Sequence, residues 1–229
     1  SEMCIRDSSK CDLIPSILTS VGEPDMTTEV FGQKIKMPLF LSPTAMQRLY
    51  HHDGDKASAR AAEKFGTIYS MSTMATTSIE EISNVSSGPK MFQLYIHKDK
   101  GLTDNLIDRC KRSGFKAMCL TVDTVVAGNR ERDHRWGFTT PPKLNFRSLL
   151  SFATHPIWSI NYLTHEKFQL ANVSHFTKKG SSIAKGVMEY INEQYDPKMS
   201  WQDAKYCIKR WGCLLYTSDA ADEEDSVDL

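Results

Sequence analysis

Four short apolar segments alternate with helix-forming segments over the first 125 residues, and this alternation restricts the possible folds more than any other feature. The apolar segments begin near residues 39, 67, 91 and 115, so that successive starts are 28, 24 and 24 residues apart. Parallel strands need a crossover connection of a dozen or more residues, usually a helix, which fits within this spacing. The pattern therefore predicts an α/β fold with a parallel sheet.

Local signals mark the ends of the individual elements. The predicted elements are strands at 39–41, 67–71, 91–96 and 115–122 and helices at 53–65, 78–85 and 102–112. Gly66 and Gly114 follow the first and third helices, where glycine commonly ends a helix. Ser78 and Glu81 have the spacing of a capping box, which predicts the start of the second helix.

The alternation stops after the fourth strand. Residues 124–180 contain Pro141 and Pro142, many aromatic and basic side chains, and no convincing strand pattern. We interpret them as a long excursion from the end of the fourth strand. Helices are predicted at 181–194 and 200–211, and a parallel sheet would require a fifth strand after them.

The charge of the chain is divided unevenly between its ends and its interior. Lys and Arg total 28, as do Asp and Glu, but residues 213–229 carry six acids and no base. Residues 1–8 carry two acids and one Arg, which leaves residues 9–212 with 27 bases and 20 acids, a net charge of +7. The overall neutrality therefore depends on the ends.

The two ends also have complementary coding potential. The codons ATG TGT ATA AGA GAC encode residues 3–7, and when AG follows, the reverse complement encodes residues 213–217. Both peptides resemble translations of the inverted transposon-end adapter used in sequencing libraries. Our hypothesis is that 1–8 and 213–229 are adapter-derived and that 9–212 is an internal part of a longer gene product.

Composition restricts the class of protein. Apolar residues make up 40% and charged residues 24% of the chain, which is typical of a globular protein and not of a disordered or fibrous one. The zero formal charge gives no indication of nucleic-acid binding. The longest apolar stretches, 37–42 and 149–163, are too short or too interrupted to span a bilayer. Scattered cysteines without a C-x-x-C pair predict reduced thiols and a cytoplasmic location.

Each of the four predicted strands ends in compact polar residues. These ends comprise residues 42–45, 70–73, 93–95 and 121–123. In a β/α barrel the carboxyl ends of the strands converge on one face, where active sites form. Any single strand needs polar residues where it leaves the core, but four such ends in succession predict a functional site.

Several motifs in these segments resemble the FMN-dependent α-hydroxy acid dehydrogenase family, which includes glycolate oxidase and L-lactate dehydrogenases. In family order, the motifs are P-T-A-M-Q at 43–47, S-M-S-T-M-A-T-x-S-I-E-E at 70–81, F-Q-L-Y at 92–95, G-F-K-A at 114–117, L-T-V-D-T at 120–124 and G-N-R-E-R-D at 128–133. The resemblance implies a TIM (β/α)8 barrel with FMN at its mouth. This chain would hold about the first half, strands 1–4 and the excursion.

The resemblance also implies a set of flavin-binding residues. They are Pro43, Thr44, Ala45, Ser72, Gln93 and Thr121. The backbone of the first three would lie along the flavin ring, where small side chains permit close approach. The side chains of the other three would hydrogen-bond the polar edge of the ring and tune its electronics.

The resemblance further implies which residues act on the substrate. Tyr95 would hydrogen-bond the substrate, and Arg130 would bind its carboxylate through the planar guanidinium. Asp123 would orient a histidine that takes a proton from the hydroxy acid. In the family that histidine lies beyond the fifth strand, and none of the seven histidines of this chain corresponds to it. Surface or supporting roles are expected for all seven.

The predicted activity is oxidation of an L-2-hydroxy acid, with L-lactate favoured, to the 2-oxo acid by the full-length protein. A cytochrome, a quinone or oxygen would accept the electrons. Met74 replaces an aromatic residue of glycolate oxidases and Val125–Val126 replaces a Pro-Arg pair, and both differences bear on specificity. A homo-oligomer is expected, and neither a metal nor a nucleic-acid partner is expected.

Three alternatives stay open from the residues. The full-length protein could be a glycolate oxidase-type enzyme that passes electrons to oxygen, or a barrel enzyme for another phosphate-bearing ligand. The 229 residues themselves could be a non-catalytic half barrel that lacks the proton-accepting histidine. The aromatic residues of the excursion serve either in packing or in peripheral contact with the inner membrane, and they are Trp136, Phe138, Phe152, Trp158 and Tyr162.

Overall fold

The computed structural model describes residues 14, 22–123, 146–166, 168–173, 194, 196, 198–212 and 215–218. The strands are β1 Thr28–Val30, β2 Gln33–Ile35, β3 Tyr69–Ser72, β4 Lys90–Tyr95, β5 Ala117–Thr121 and β6 Leu215–Ser218. The helices are α1 Gly54–Phe65, α2 Ile79–Val85, α3 Lys100–Arg112, α4 Phe146–Thr154, α5 Pro156–Thr164 and α6 Trp201–Trp211, and Gln47–Leu49 forms a 3₁₀ turn.

Strands β3 to β6 form one parallel sheet whose spatial order follows the chain. Ser72 lies opposite Gln93, and Tyr95 lies opposite Thr121. The carboxyl ends of β3, β4 and β5 therefore meet at one edge of the sheet, as the strand and helix spacing predicts.

Strand β6 takes the place at which the sequence pattern required a further strand. It pairs in parallel with β5, from Met118 opposite Leu215 to Thr121 opposite Ser218. This strand lies within the terminal segment 213–229, which is interpreted above as adapter-derived. The pairing does not test the origin of that segment, which stays a prediction.

The helix ends follow the local signals in the sequence. Helix α1 ends at Gly66, whose φ of 69° is in the left-handed region that glycine adopts without strain. Helix α2 begins with the predicted capping box, in which Glu81 N donates to Ser78 Oγ at 3.2 Å and Ser78 N donates to Glu81 Oε2 at 3.0 Å. Ser200 and Asp203 form an equivalent pair at the start of α6.

The central sheet is buried on both faces. Every residue of β3, β4 and β5 is buried except Tyr95, which is half-buried. One face packs with the helices in a cluster that includes Tyr69, Met71, Phe92, Leu94, Met118 and Leu120. The other packs below the β1–β2 hairpin in a cluster of Ile35, Ile68, Met91, Ala117 and Cys119. Burial on both faces explains the nearly continuous apolar character of these strands.

The first predicted strand, at 39–41, is wrong in its extent. Only Leu41 joins the sheet, through an isolated parallel bridge to Tyr69. Leu39 and Phe40 are 61% and 39% exposed, because a single bridge does not bring their side chains into the core. The other three predicted strands agree with the structure to within two residues at each end.

The excursion is attached to the 3₁₀ turn Gln47–Leu49 by specific contacts. Its described part contains α4 and α5, two helices that the sequence pattern did not indicate. Trp158 Nε1 donates to the carbonyl oxygen of Leu49 at 3.0 Å, and Glu166 forms an ion pair with the buried Arg48. The helix predicted at 181–194 lies outside the described residues except for its last position.

Two further sequence predictions concern membranes and thiols. Across the part of the chain that the structure describes, no helix is both long and apolar enough to cross a bilayer. Cys110, Cys119 and Cys207 are buried, and none of these three described cysteines forms a disulfide, which agrees with the predicted reduced state. Burial raises the pKa of Cys207 to about 11, which keeps this thiol protonated and unreactive near neutral pH.

Candidate active site

A hydrogen-bonded row of polar side chains crosses three neighbouring strands near their carboxyl ends. Ser72 Oγ donates to Gln93 Oε1 at 3.2 Å, and Gln93 Nε2 donates to Thr121 Oγ1 at 2.7 Å. All three residues are at most 6% exposed. The structure thus brings together the three side chains that the resemblance assigns to the polar edge of a flavin.

The row keeps hydrogen-bonding capacity for a ligand. The Gln93 amide nitrogen carries two hydrogens, of which Thr121 accepts one, and the Thr121 hydroxyl can still donate its own hydrogen. Ser72 Oγ also accepts from the backbone N–H of Met74 at 3.1 Å, so its orientation is held from both sides. Such a fixed set of donors and acceptors fits a planar ring edge that alternates N–H and C=O groups, as the flavin edge does.

The segment Pro43–Thr44–Ala45 leaves the sheet beside β3. Leu41 exchanges backbone hydrogen bonds with Ile68 and Ser70 at 3.0 and 3.2 Å, and Met46 N donates to Met74 O at 3.1 Å. The segment therefore spans from the flank of β3 to the loop that follows it. Thr44 is exposed and the other two are half-buried, which leaves the backbone accessible to a ligand.

Gln47 connects the 43–45 segment to the neighbouring helix. Its role was not identified from the sequence. Its Nε2 donates to the Thr44 carbonyl oxygen at 3.4 Å, and its Oε1 accepts from Ser58 Oγ at 2.6 Å. The amide thus connects the segment to α1. A cavity of about 350 Å³ borders the same segment, lined in part by Thr44, Gln47, Ser58 and Tyr69.

The residues assigned to substrate chemistry lie at or beyond the strand ends. Tyr95 is the last residue of β4 and lies opposite Thr121, directly next to the row. Asp123 follows β5 by two residues and is exposed. Arg130 lies outside the described residues. Tyr95 and Asp123 are therefore at the same edge of the sheet as the row.

A buried carboxylate, also missed from the sequence, holds α1 against the loop after β3. Asp55 is fully buried and accepts from Tyr69 Oη at 3.2 Å, Thr76 N at 2.9 Å and Thr76 Oγ1 at 2.6 Å. Burial, together with the charge of Asp55, raises the pKa of Tyr69 well above its usual value. The sequence D-G-D at 53–55 resembles an ordinary solvated helix start, so it carried no signal for this role.

The described histidines lie outside the row. His51, His52 and His165 stack in series with ring centroids 4.1 Å apart, and they connect the turn after the 3₁₀ segment to the end of α5. His97 is fully buried just past β4, so it is not a surface residue. Among the described residues, no group of three or more His, Cys, Asp or Glu side chains has the arrangement of a metal site.

Comparison with known sequences gives one family. A family model for FMN-dependent dehydrogenases matches residues 5–218. Glycolate oxidase 1 of Oryza sativa subsp. indica is 38% identical over 192 residues, which are 84% of this chain and 46% of that protein. L-lactate oxidase of a Nostoc strain is 38% identical over 198 residues, 85% of this chain and 48% of that protein. The chain spans about half the length of these relatives.

Comparison with solved structures gives the same fold. The monotopic membrane protein (S)-mandelate dehydrogenase superposes with a TM-score of 0.81 at 29% identity, over 89% of this chain and 53% of that one. A lactate oxidase of Pediococcus acidilactici gives a TM-score of 0.68 at 26% identity, over 90% of this chain and 47% of that one. The parallel sheet with its outer helices is therefore part of a β/α barrel. The chain belongs to the FMN-dependent dehydrogenase family.

Proposed function

We propose that the protein containing this segment oxidises an L-2-hydroxy acid, L-lactate, to the corresponding 2-oxo acid with FMN as its cofactor. The observation that carries this proposal is the buried row Ser72–Gln93–Thr121 with Tyr95 at its end. The L-lactate oxidase and lactate oxidase matches support the substrate class. Glycolate oxidases match equally well in identity, so glycolate is the competing substrate.

In this proposal the chain's own residues hold the cofactor and one side of the substrate. The row would bind the polar edge of the flavin, and the backbone at 43–45 would lie against the ring. When bound, FMN supplies the acceptor for the two electrons that leave the hydroxy acid. Tyr95 donates a hydrogen bond to the substrate, and Arg130 binds the substrate carboxylate.

In this proposal, proton removal uses a histidine that has no counterpart among the seven histidines of this chain. Asp123 is proposed to orient an imidazole supplied by the remainder of the barrel, and its carboxylate stabilises that imidazole once it is protonated. The neighbouring positions of Tyr95 and Asp123 at one sheet edge support this assignment. Met74 lies in the loop after β3, where its carbonyl oxygen accepts from the Met46 N–H at 3.1 Å, and it is proposed to select for the lactate methyl group.

Flavin content and substrate-dependent reduction test the activity. The full-length protein is expected to purify with FMN, and anaerobic L-lactate should bleach the flavin faster than glycolate does, while D-lactate should leave it oxidised. A full-length protein without flavin would exclude the proposed cofactor. Flavin bleached by glycolate and not by L-lactate would exclude the proposed substrate.

For the 229 residues alone, we propose a non-catalytic half barrel that self-associates. The described sheet has four strands, with β6 at one edge and β3 at the other. Backbone groups of β6, and those of β3 beyond its single bridge to Leu41, have no described strand partner at these edges. Open parallel edges favour pairing with other chains. Light scattering of the purified chain should give species larger than the 25.9 kDa monomer. A monomer loaded with FMN would contradict this proposal.

The DNA around both ends tests the proposed origin of the terminal segments. In the genomic DNA, the reading frame beyond codon 212 should encode an apolar strand segment that ends in Lys-Gly, followed by a His-Gly-x-Arg segment. Codons at 3–7 and 213–217 that differ from the adapter sequence would exclude the adapter hypothesis.

We further propose that the excursion contacts an anionic membrane surface. The large exposed apolar side chains of α4 and α5 are Phe146, Leu149, Leu150, Ile157, Ile160, Tyr162 and Leu163. Residues 134–165 contain no Asp or Glu but do contain Arg135, Lys143 and Arg147. An apolar helical surface with basic residues nearby in the sequence is typical of interfacial attachment. The similarity to a monotopic membrane protein points the same way.

Vesicle sedimentation tests this contact. The chain should sediment with vesicles rich in phosphatidylglycerol and much less with phosphatidylcholine vesicles. The double variant I157S/L163S should lose the interaction. Trp201→Ser removes a similarly exposed apolar side chain from α6 and should leave it intact. If I157S/L163S sediments with the anionic vesicles as fully as Trp201→Ser does, α5 is excluded as the contact.

A further inference from the structure

Thr73 continues the pairing of β3 with β4 at the point where β3 ends. Its backbone N–H donates to the Gln93 carbonyl oxygen at 3.1 Å. Its hydroxyl donates to the same oxygen at 2.7 Å and accepts from the Tyr95 N–H at 3.3 Å. The side chain is fully buried, so water does not compete for these bonds.

The hydroxyl replaces a stretch of backbone that β3 no longer provides. Buried backbone groups need partners, and β4 extends beyond the last paired residue of β3, Ser72. A hydroxyl can donate and accept at once, so one Thr73 side chain serves both the Gln93 carbonyl and the Tyr95 amide. The backbone positions of Gln93 and Tyr95 are therefore linked through a single side chain.

Thr73 also restricts the orientation of the Gln93 side chain, because its hydroxyl bond to the Gln93 carbonyl oxygen keeps its backbone N–H beside the side-chain amide. Its N–H lies 3.4 Å from Gln93 Oε1, which already accepts from Ser72 Oγ. Two donors on Oε1 favour the amide orientation in which Nε2 points to Thr121. The opposite orientation would place the NH₂ group against two donors.

We propose that Thr73 is a positioning residue that sets both the Gln93 amide at the flavin edge and the Tyr95 hydroxyl at the substrate. This inference rests on the proposed function of the same site. Thr73 acts through its two partners and need not touch the flavin or the substrate itself. A change at Thr73 should therefore alter a property of the flavin and a property of substrate binding together.

The test uses the full-length, FMN-loaded protein with three variants. Thr73→Val keeps the shape of the side chain but removes the hydroxyl, and Thr73→Ser keeps the hydroxyl but removes the methyl group. Thr77→Val is the matched control, because Thr77 is also fully buried in the same loop and its hydroxyl has no hydrogen-bond partner among the described residues.

Thr73→Val is expected to shift the midpoint potential of the bound flavin, to raise KM for the hydroxy acid, and to lower kcat/KM roughly 10- to 100-fold. Thr73→Ser should restore both the potential and kcat/KM to within about twofold of the wild type, a margin below the tenfold that one lost buried hydrogen bond represents. Thr77→Val should behave as the wild type. These results together would show that the hydroxyl, rather than packing, is responsible.

A folded Thr73→Val variant with the wild-type potential and KM would overturn the inference. If Thr73→Val does not fold, the flavin midpoint potential of Thr73→Ser decides between the hydroxyl and packing. A wild-type potential supports the inference, whereas a shifted potential, with the hydroxyl still present, would assign the role to packing and overturn it. A wild-type protein without flavin would instead refute the proposed function, so the two failures are distinguishable.

Discussion

His97 should make the stability of this chain depend on pH in a defined window. The residue is fully buried two positions after Tyr95, and its backbone N–H donates to Thr103 Oγ1 at 3.0 Å. Burial lowers the pKa of its imidazole to about 4, although the nearby Asp99 carboxylate opposes the shift. The ring is therefore neutral in the folded chain at pH 7.

The sign and size of the effect follow from the two pKa values. The unfolded ring titrates near 6.5 and the folded ring near 4, so the unfolded state binds more protons between these values. The contribution is fully present above pH 6.5 and is lost as the pH falls toward 4. The complete loss would be about 3 kcal/mol, and about 2 kcal/mol of it should be lost between pH 7.5 and pH 5.

Urea denaturation of the 229-residue chain at pH 7.5 and pH 5 measures this contribution. Whatever its stability at pH 7.5, His97→Gln should lose about 2 kcal/mol less than the wild type on going to pH 5. His155→Gln removes an exposed imidazole and should follow the wild type. Equal pH dependence of His97→Gln and the wild type would refute the reasoning.

Three further changes test the contacts around the site by denaturation. Asn172→Ala should destabilise the chain by roughly 2–4 kcal/mol, because the buried amide accepts from the first N–H of α2 and donates to the Thr77 carbonyl oxygen. An unchanged denaturation midpoint would show that the excursion is not attached there. Gly54→Ala should cost roughly 1–3 kcal/mol, since φ is 45° and a Cβ would approach Arg48 N to 3.1 Å. Gly32→Ala, with a similar φ and open space, should cost less. Ser78→Ala should cost about 1 kcal/mol through loss of the capping box, and a smaller loss would mean that Glu81 alone holds the helix start.

The excursion contacts the loops that lie next to the candidate site. Asn172 lies in the excursion and accepts at Oδ1 from the Ile79 N–H at 3.0 Å, while Arg109 of α3 also donates to it at 3.2 Å. Glu166 pairs with Arg48, which follows the 43–45 segment. The excursion therefore braces the loops after the first two strand positions, the loops that we propose to carry the flavin.

Local sequence was sufficient for helices α1, α2, α3 and α6 and for strands β3, β4 and β5, but not for α4 and α5. The ends of α1 and α2 depend on Gly66 and on the Ser78–Glu81 pair, which act within one helical turn and are visible in the sequence. The extent of the 39–41 strand depended on whether a partner lay along it, and only Leu41 has one. Strand length is thus a property of pairing and not of the segment alone.

For the candidate site too, the sequence predicted some features and only the tertiary structure showed the others. The types and order of Ser72, Gln93 and Thr121 were readable from the motifs, and so was their placement at strand ends. Their hydrogen bonds join residues 21 and 28 positions apart, so the pairing register had to bring them together. Thr73 and Asp55 acquire their roles only through such distant partners, because periodicity and capping rules describe neighbours along the chain and contain no information about which strands and loops meet.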